Sequence, residues 1–144
     1  MTDAPSSASA GDTAFQEFMG RCHAALAQQG IGNPEPFLRL WSHTSDVTLM
    51  AAVNGHQSGF EEVSGLLSHV SRGLNWDGFR AETLAWRVDG ELAFTAELEH
   101  MTRTVNGHEE AMTIRATQIY RHTEGGWKVI HRHGDVLAPY EEKW

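Results

Sequence analysis

Apolar positions along this chain change their period once, near residue 75, and the change divides it into a helical first half and a stranded second half. Phe15, Phe18, Met19, Cys22, Ala25 and Leu26 recur at helical spacing. With Thr13 and Gln16 as a capping-box pair, they predict a helix over 13–29 that Gly30 closes. Asn33 as N-cap and Pro34 at the first helical position open a second helix, whose stripe of Phe37, Leu40 and Trp41 carries it to Ser42. A short, mostly apolar strand follows over 47–53 and stops at Asn54-Gly55. Ser58 and Glu61 form a second capping box, and Phe60, Val63, Leu67 and Val70 give a third helix over 59–72 its buried face.

Beyond Gly73 the period is two. Two long strands, 79–88 and 91–104, flank Asp89-Gly90, a two-residue hairpin signal that sets Val88 opposite Glu91. In that register Phe79, Ala81, Thr83 and Ala85 share a face with Leu92, Phe94, Ala96, Leu98 and His100, which is the expected core side. The other face carries Leu84, Trp86 and Val88 with Ala93, Thr95, Glu97 and Glu99. Asn106-Gly107 turns into a strand over 110–121, and the turn at 123–126 leads to the last, 127–136. The strand 110–121 admits two orientations. Its apolar side, Met112, Ile114 and Ala116, sends Gln118 and Tyr120 inward, whereas the two-residue turn places Thr113, Arg115 and Thr117 on the core face. An inward Arg115 would require a carboxylate from Glu97, Asp135 or a ligand. The order of elements defines an α+β class: a curved antiparallel sheet forming a cone or half-barrel, closed by three N-terminal helices.

A length of 144 residues fits one domain, 13–137, with a Ser/Ala-rich segment 1–12 expected as a disordered leader and 138–144 as a C-terminal tail. Eleven Lys and Arg against 19 Asp and Glu leave a formal net charge of −8, which disfavours nucleic acid and anionic membrane surfaces as partners. No stretch is apolar for long enough to span a bilayer, so the chain is expected in the cytoplasm. The single cysteine, Cys22, falls on the apolar face of the first helix, where a small buried thiol is the expectation.

Four stretches carry a family resemblance: residues 37–41 (FLRLW), 89–93 (DGELA), 115–117 (RAT) and the closing strand 125–133 (GGWKVIHRH). With the order of elements, they make the chain similar to the SnoaL-like and ketosteroid-isomerase-like branch of the nuclear transport factor 2 superfamily. The resemblance implies a cone of sheet around a ligand pocket, in a fold that hosts isomerases, dehydratases, cyclases and non-catalytic modules. It also exposes two departures. The carboxylate base that the isomerases carry at the end of the first strand has no counterpart in 49–54 (LMAAVN), and the acid that donates to their oxyanion matches Gln118.

His131 and His133, two apart on a strand, point to one face, and imidazole suits proton transfer near neutral pH. They are the expected catalytic residues, alongside an open alternative as hydrogen-bonded members of the sheet. Trp41, Trp76, Phe79, His100, Gln118 and Tyr120 are the expected substrate-binding residues; His56, His69 and His108 are expected at the surface. His-x-His supplies two metal ligands where a catalytic zinc wants three, so no metal and no cofactor is expected. The functional expectation is a small-molecule pocket protein for a hydrophobic, oxygenated ligand. It is either a cofactor-free lyase or isomerase of dehydratase or cyclase type, or a non-catalytic binding or assembly module. Leu84, Trp86, Val88 and Ile130, on the face away from the helices, predict a homodimer.

Overall fold

The computed structural model describes residues 9–141. Helix α1, Ala10–Gln29, begins earlier than the capping-box pair at Thr13 predicts, because Ser9 caps it and exchanges hydrogen bonds with Asp12. Of the expected leader, residues 9–12 therefore belong to this helix and its cap, and 1–8 lie outside the described residues. Helix α2, Glu35–Leu40, is short, and Asn33 does not cap it; its amide donates to Gln28 at the end of α1 instead. Strand β1 is only Thr48–Met50, β2 is Gln57–Ser58, and α3 runs Phe60–Arg72 from Gly59. Ser58 offers its backbone N–H to Glu62, so the expected Ser58–Glu61 capping box is replaced by a reach one residue further.

Four long strands follow: β3 Asp77–Asp89, β4 Leu92–Val105, β5 His108–Thr123 and β6 Gly126–Val136. The sheet order is β2-β1-β6-β5-β4-β3, antiparallel except where β1 lies parallel to β6. All three helices pack on one face. Phe15, Phe18, Phe37, Trp41, Tyr120 and Trp127 meet between helices and sheet, with Phe15 edge-on to both Tyr120 and Trp127.

Two bulges decide which side chains face the helices. On β3 the partners step from Thr83↔Glu97 to Ala85↔Ala96, so Leu84 is extra and the strand changes face there. Trp86 and Val88 consequently lie on the same side as Phe79 and Ala81. The inner face of β4 is then Ala93, Thr95, Glu97 and Glu99, all buried, while Leu92 and Phe94 are exposed. This inverts the expected core face of β4, and it removes the conflict over β5. Asn106 and Gly107, both with positive φ, make a two-residue turn closed by Val105↔His108. In that register Ile114, Ala116, Gln118 and Tyr120 oppose Glu99, Glu97, Thr95 and Ala93 on the inside. Apolar pattern and turn geometry agree once β4 is turned over.

The second bulge is at Ile130. Tyr120 pairs with Val129 and Ile119 with His131, so Ile130 has no partner and β6 reverses its faces. Trp127 and Val129 are inside before the bulge, and Arg132, Gly134 and Val136 continue that side after it. The expected dimer surface is corrected by the same two features. Trp86 packs against Phe15, Val88 and Ile130 rest against the core, and of those four only Leu84 stands out, 60% exposed.

Candidate functional site

Between the helices and the lower half of the sheet lies a cavity of about 270 Å³. Helix α1 contributes Leu26, Ala27 and Gln29 to its wall, and α3 contributes Leu66, Leu67 and Val70. Trp76 and Phe79 close one side, Leu49 and residues 51–53 the other, and Met101, Met112, Ile114 and Gly134 form the sheet wall. Nearly all of this is hydrocarbon. The polar exception on the sheet wall is a pair, Glu99 of β4 and Arg132 of β6, whose side chains are 2% and 12% exposed.

Arg132 donates from Nη2 to Glu99 Oε1 at 2.6 Å and from Nη1 to Glu99 Oε2 at 2.8 Å, a two-point grip on the carboxylate. Its Nη1 also donates to Gln118 Oε1 at 2.8 Å, Gln118 Nε2 donates to Tyr120 Oη at 2.6 Å, and Tyr120 shares a hydrogen bond with Thr95. A continuous buried polar chain thus runs from the cavity wall into the core. Burial opposes the charge on Arg132, but Glu99 more than compensates and holds the guanidinium above its ordinary pKa. Burial raises the Tyr120 phenol above its usual range, so the ring stays a neutral hydrogen-bonding group.

A second carboxylate, Glu97, sits further along the same inner row. Burial pushes its pKa up, and hydrogen bonds from His23 at 2.8 Å and Thr83 at 2.6 Å, with the nearby Arg132 charge, outweigh that and hold it below the usual carboxylate range. Cys22 beside it is buried and its thiol is raised, chiefly by desolvation, as expected of an inert core cysteine.

The expected site residues divide three ways. Trp76 and Phe79 line the cavity. Gln118 and Tyr120 point inward but stand behind Arg132, and Trp41 is a core residue that does not reach the cavity. His131 and His133 lie on the opposite sheet face because the Ile130 bulge reverses β6, and His100 lies there because β4 turns its Ala93–Glu99 row inward. His131 Nδ1 is 2.7 Å from Thr48 Oγ1, and His133 borders a shallow groove with Met50, His56 and Asp135. His100 bridges Thr113 and Glu82. Arg115 is also outside, gripping Asp135 with two hydrogen bonds. The residues that the pattern missed are Glu99, Arg132 and Gln29. Two carboxylates spaced two apart, continuing the row of Ala93 and Thr95 on the same strand, with a lone arginine two strands away, were the available signal. Among the described residues, no three His, Cys, Asp or Glu side chains gather as a metal site would require.

A SnoaL-like domain model matches residues 16–139. The chain belongs to the SnoaL-like domain family. An NTF2-like protein of unknown function from Pseudomonas putida KT2440 superposes on this SnoaL-like domain with a TM-score of 0.74 at 19% identity, covering 94% of this chain and 92% of its own. A ketosteroid isomerase-like protein from Erwinia carotovora atroseptica gives 0.72 at 14% identity, over 88% and 96%. At such identities the likeness is one of fold. In sequence, the domain is 29% identical over 114 residues to the tRNA 5-methylaminomethyl-2-thiouridine biosynthesis bifunctional protein MnmC of Pseudomonas fluorescens. That match takes in 73% of this chain and only 17% of the relative.

Proposed function

We propose that this SnoaL-like domain holds a small, neutral, largely apolar molecule with an oxygen that accepts a hydrogen bond. The observation that carries this reading is an apolar cavity with one polar pair, Glu99–Arg132, set into its sheet wall. Arg132 commits three of its five N–H groups to Glu99 and Gln118, which leaves Nε–H and one Nη2–H for a ligand oxygen. Glu99 cancels the arginine charge, so an anion gains little there. The volume lies just under the range of about 300–1,000 Å³ typical of drug-sized sites, which suits one or two rings better than a four-ring steroid. Isothermal titration of a bicyclic ketone, 1-tetralone, tests this. Wild type should bind it, and Met112→Trp, which fills the cavity, should weaken binding at least tenfold while melting within a few degrees of wild type. Failure of the wild type to bind would remove the reading.

A second reading keeps the same ligand and adds chemistry: a cofactor-free isomerase or lyase of dehydratase or cyclase type. Glu99 favours it, as a carboxylate beside the place where the ligand oxygen would sit. His131 and His133 could serve only a substrate on the outer face, at the groove by His56 and Asp135. A panel of enones and hydroxy-ketones separates these possibilities. Turnover abolished by Glu99→Gln but kept by His131→Ala and His133→Ala places the chemistry in the cavity; the reverse assigns it to the histidines. Absence of turnover leaves a binding module.

The domain is further proposed to pair with a second copy. The surface for this is the exposed apolar band of Leu84, Leu92, Phe94 and Ile119 on the outer sheet face, in place of one centred on Trp86.

A further inference from the structure

Gln29 is the last residue of α1 and only 7% exposed. It is fixed twice against α3: Ser71 Oγ donates to its backbone carbonyl at 2.7 Å, and its side-chain Nε2 donates to the Leu67 carbonyl at 2.9 Å. The second bond sets the orientation of the amide, since only the nitrogen can donate to a carbonyl. Oε1 is therefore the free end. It is buried, has no hydrogen-bond partner among the described residues, and belongs to a residue on the cavity wall. A carbonyl oxygen held in an apolar enclosure without a donor is costly, and such groups in native proteins are nearly always satisfied by something.

We infer that Gln29 Oε1 is a specificity contact for a ligand hydroxyl. The inference rests on the cavity being a ligand site, and deepens that reading by naming the ligand class. Gln29 is on the helix wall and Arg132 on the sheet wall of the same cavity, one offering only an acceptor and the other only donors. A molecule that satisfies both has a hydroxyl at one end of an apolar ring system and a carbonyl oxygen at the other: a neutral one- or two-ring hydroxy-ketone. A ketone without the hydroxyl leaves Oε1 bare, and a methyl ether in its place brings a second acceptor against it. Discrimination of this kind arises because a buried polar group stays unpaired with the wrong ligand.

Three matched probes test this by titration: 6-hydroxy-1-tetralone, 6-methoxy-1-tetralone and 1-tetralone. Wild type should bind the hydroxy compound about tenfold more tightly than either of the others, in line with one hydrogen bond to an otherwise unpaired buried acceptor. Gln29→Met, similar in volume and without the oxygen, should bind all three within about twofold of one another. Equal binding of the three probes by wild type overturns the hydroxyl assignment and leaves the pocket standing. A tenfold preference that survives in Gln29→Met also overturns it. No binding of any probe by wild type overturns both the pocket and the inference. Should Gln29→Met fail to fold, Gln29→Leu serves instead: it also lacks the oxygen, so the preference for the hydroxyl must be lost, and its persistence counts against the assignment.

Discussion

Arg132 has the least replaceable side chain of the site. It answers the buried charge of Glu99, supplies the free N–H groups, and lies 5.9 Å from the Phe37 ring centroid. Arg132→Met should destabilise the fold by about 3–5 kcal/mol, because Glu99 is left buried without a partner. Glu99→Gln/Arg132→Met should recover most of that loss, and urea titrations of the four-member cycle measure both. His131 governs a different response. Burial first, and then the neighbouring His133, hold its pKa below the ordinary histidine value. The unfolded chain therefore takes up its proton before the folded one does. The stability this represents is present above a pH of about 6.5 and is lost as pH falls from there through the folded value. Urea midpoints at successive pH values should decline across that interval, and His131→Asn should flatten the decline; an unchanged slope would clear His131 of the effect. At this scale the sequence disclosed residue chemistry better than residue position. The histidines were conspicuous as proton carriers, and Gln118 and Tyr120 were correctly turned inward by the apolar rhythm of Ile114 and Ala116. Arg132 was hidden because a charge between two imidazoles resembles the wet side of a strand.

Among the elements, the helices were legible within a few residues, since capping residues and Gly or Pro punctuation are local signals. The strands were legible as strands, but not their faces. One extra residue at Leu84 and one at Ile130 each reverse the in-and-out alternation, and a bulge has no strong local signature. Deleting Leu84 tests how much depends on this. It should remove the bulge and leave β3 in plain alternation with Trp86 and Val88 still facing Phe15, opposite Thr95 and Ala93. Circular dichroism melts of the deletion should keep a cooperative transition within several degrees of wild type, as should Leu84→Ala, which keeps the bulge and alters only an exposed side chain; a collapse in the deletion alone would show that the bulge itself is required. The reversed face of β4 has a further cause. Its inner row contains Glu97 and Glu99, which polarity alone assigns to solvent; they are tolerated inside only because His23, Thr83 and Arg132 reach them from other elements.

Taken whole, the described residues present helices and cavity on one side of the sheet and an exposed apolar band on the other. Leu84, Leu92, Phe94 and Ile119 are each at least 36% exposed on that outer face. If a second copy covers them, sedimentation should show a dimer that Phe94→Glu converts to monomer without loss of the melting transition. A monomeric wild type would place no partner there. Among the described residues, no helix is long and apolar enough to cross a membrane.

The sequence by itself determined what local rules can determine. The switch of hydrophobic period specified three helices followed by a meander of strands, the hairpin residues at 106–107 specified one turn, and four stretches, at 37–41, 89–93, 115–117 and 125–133, carried the resemblance to the family. Tertiary structure alone decided which residues form the wall of the cavity. Two single-residue bulges and two buried carboxylates, each stabilised by partners tens of residues away, turned Arg132, Glu97 and Glu99 inward and His131 and His133 outward. A period of two fixes faces only relative to neighbours on the same strand. Absolute orientation depends on long-range packing and on charges that find their partners when the chain closes.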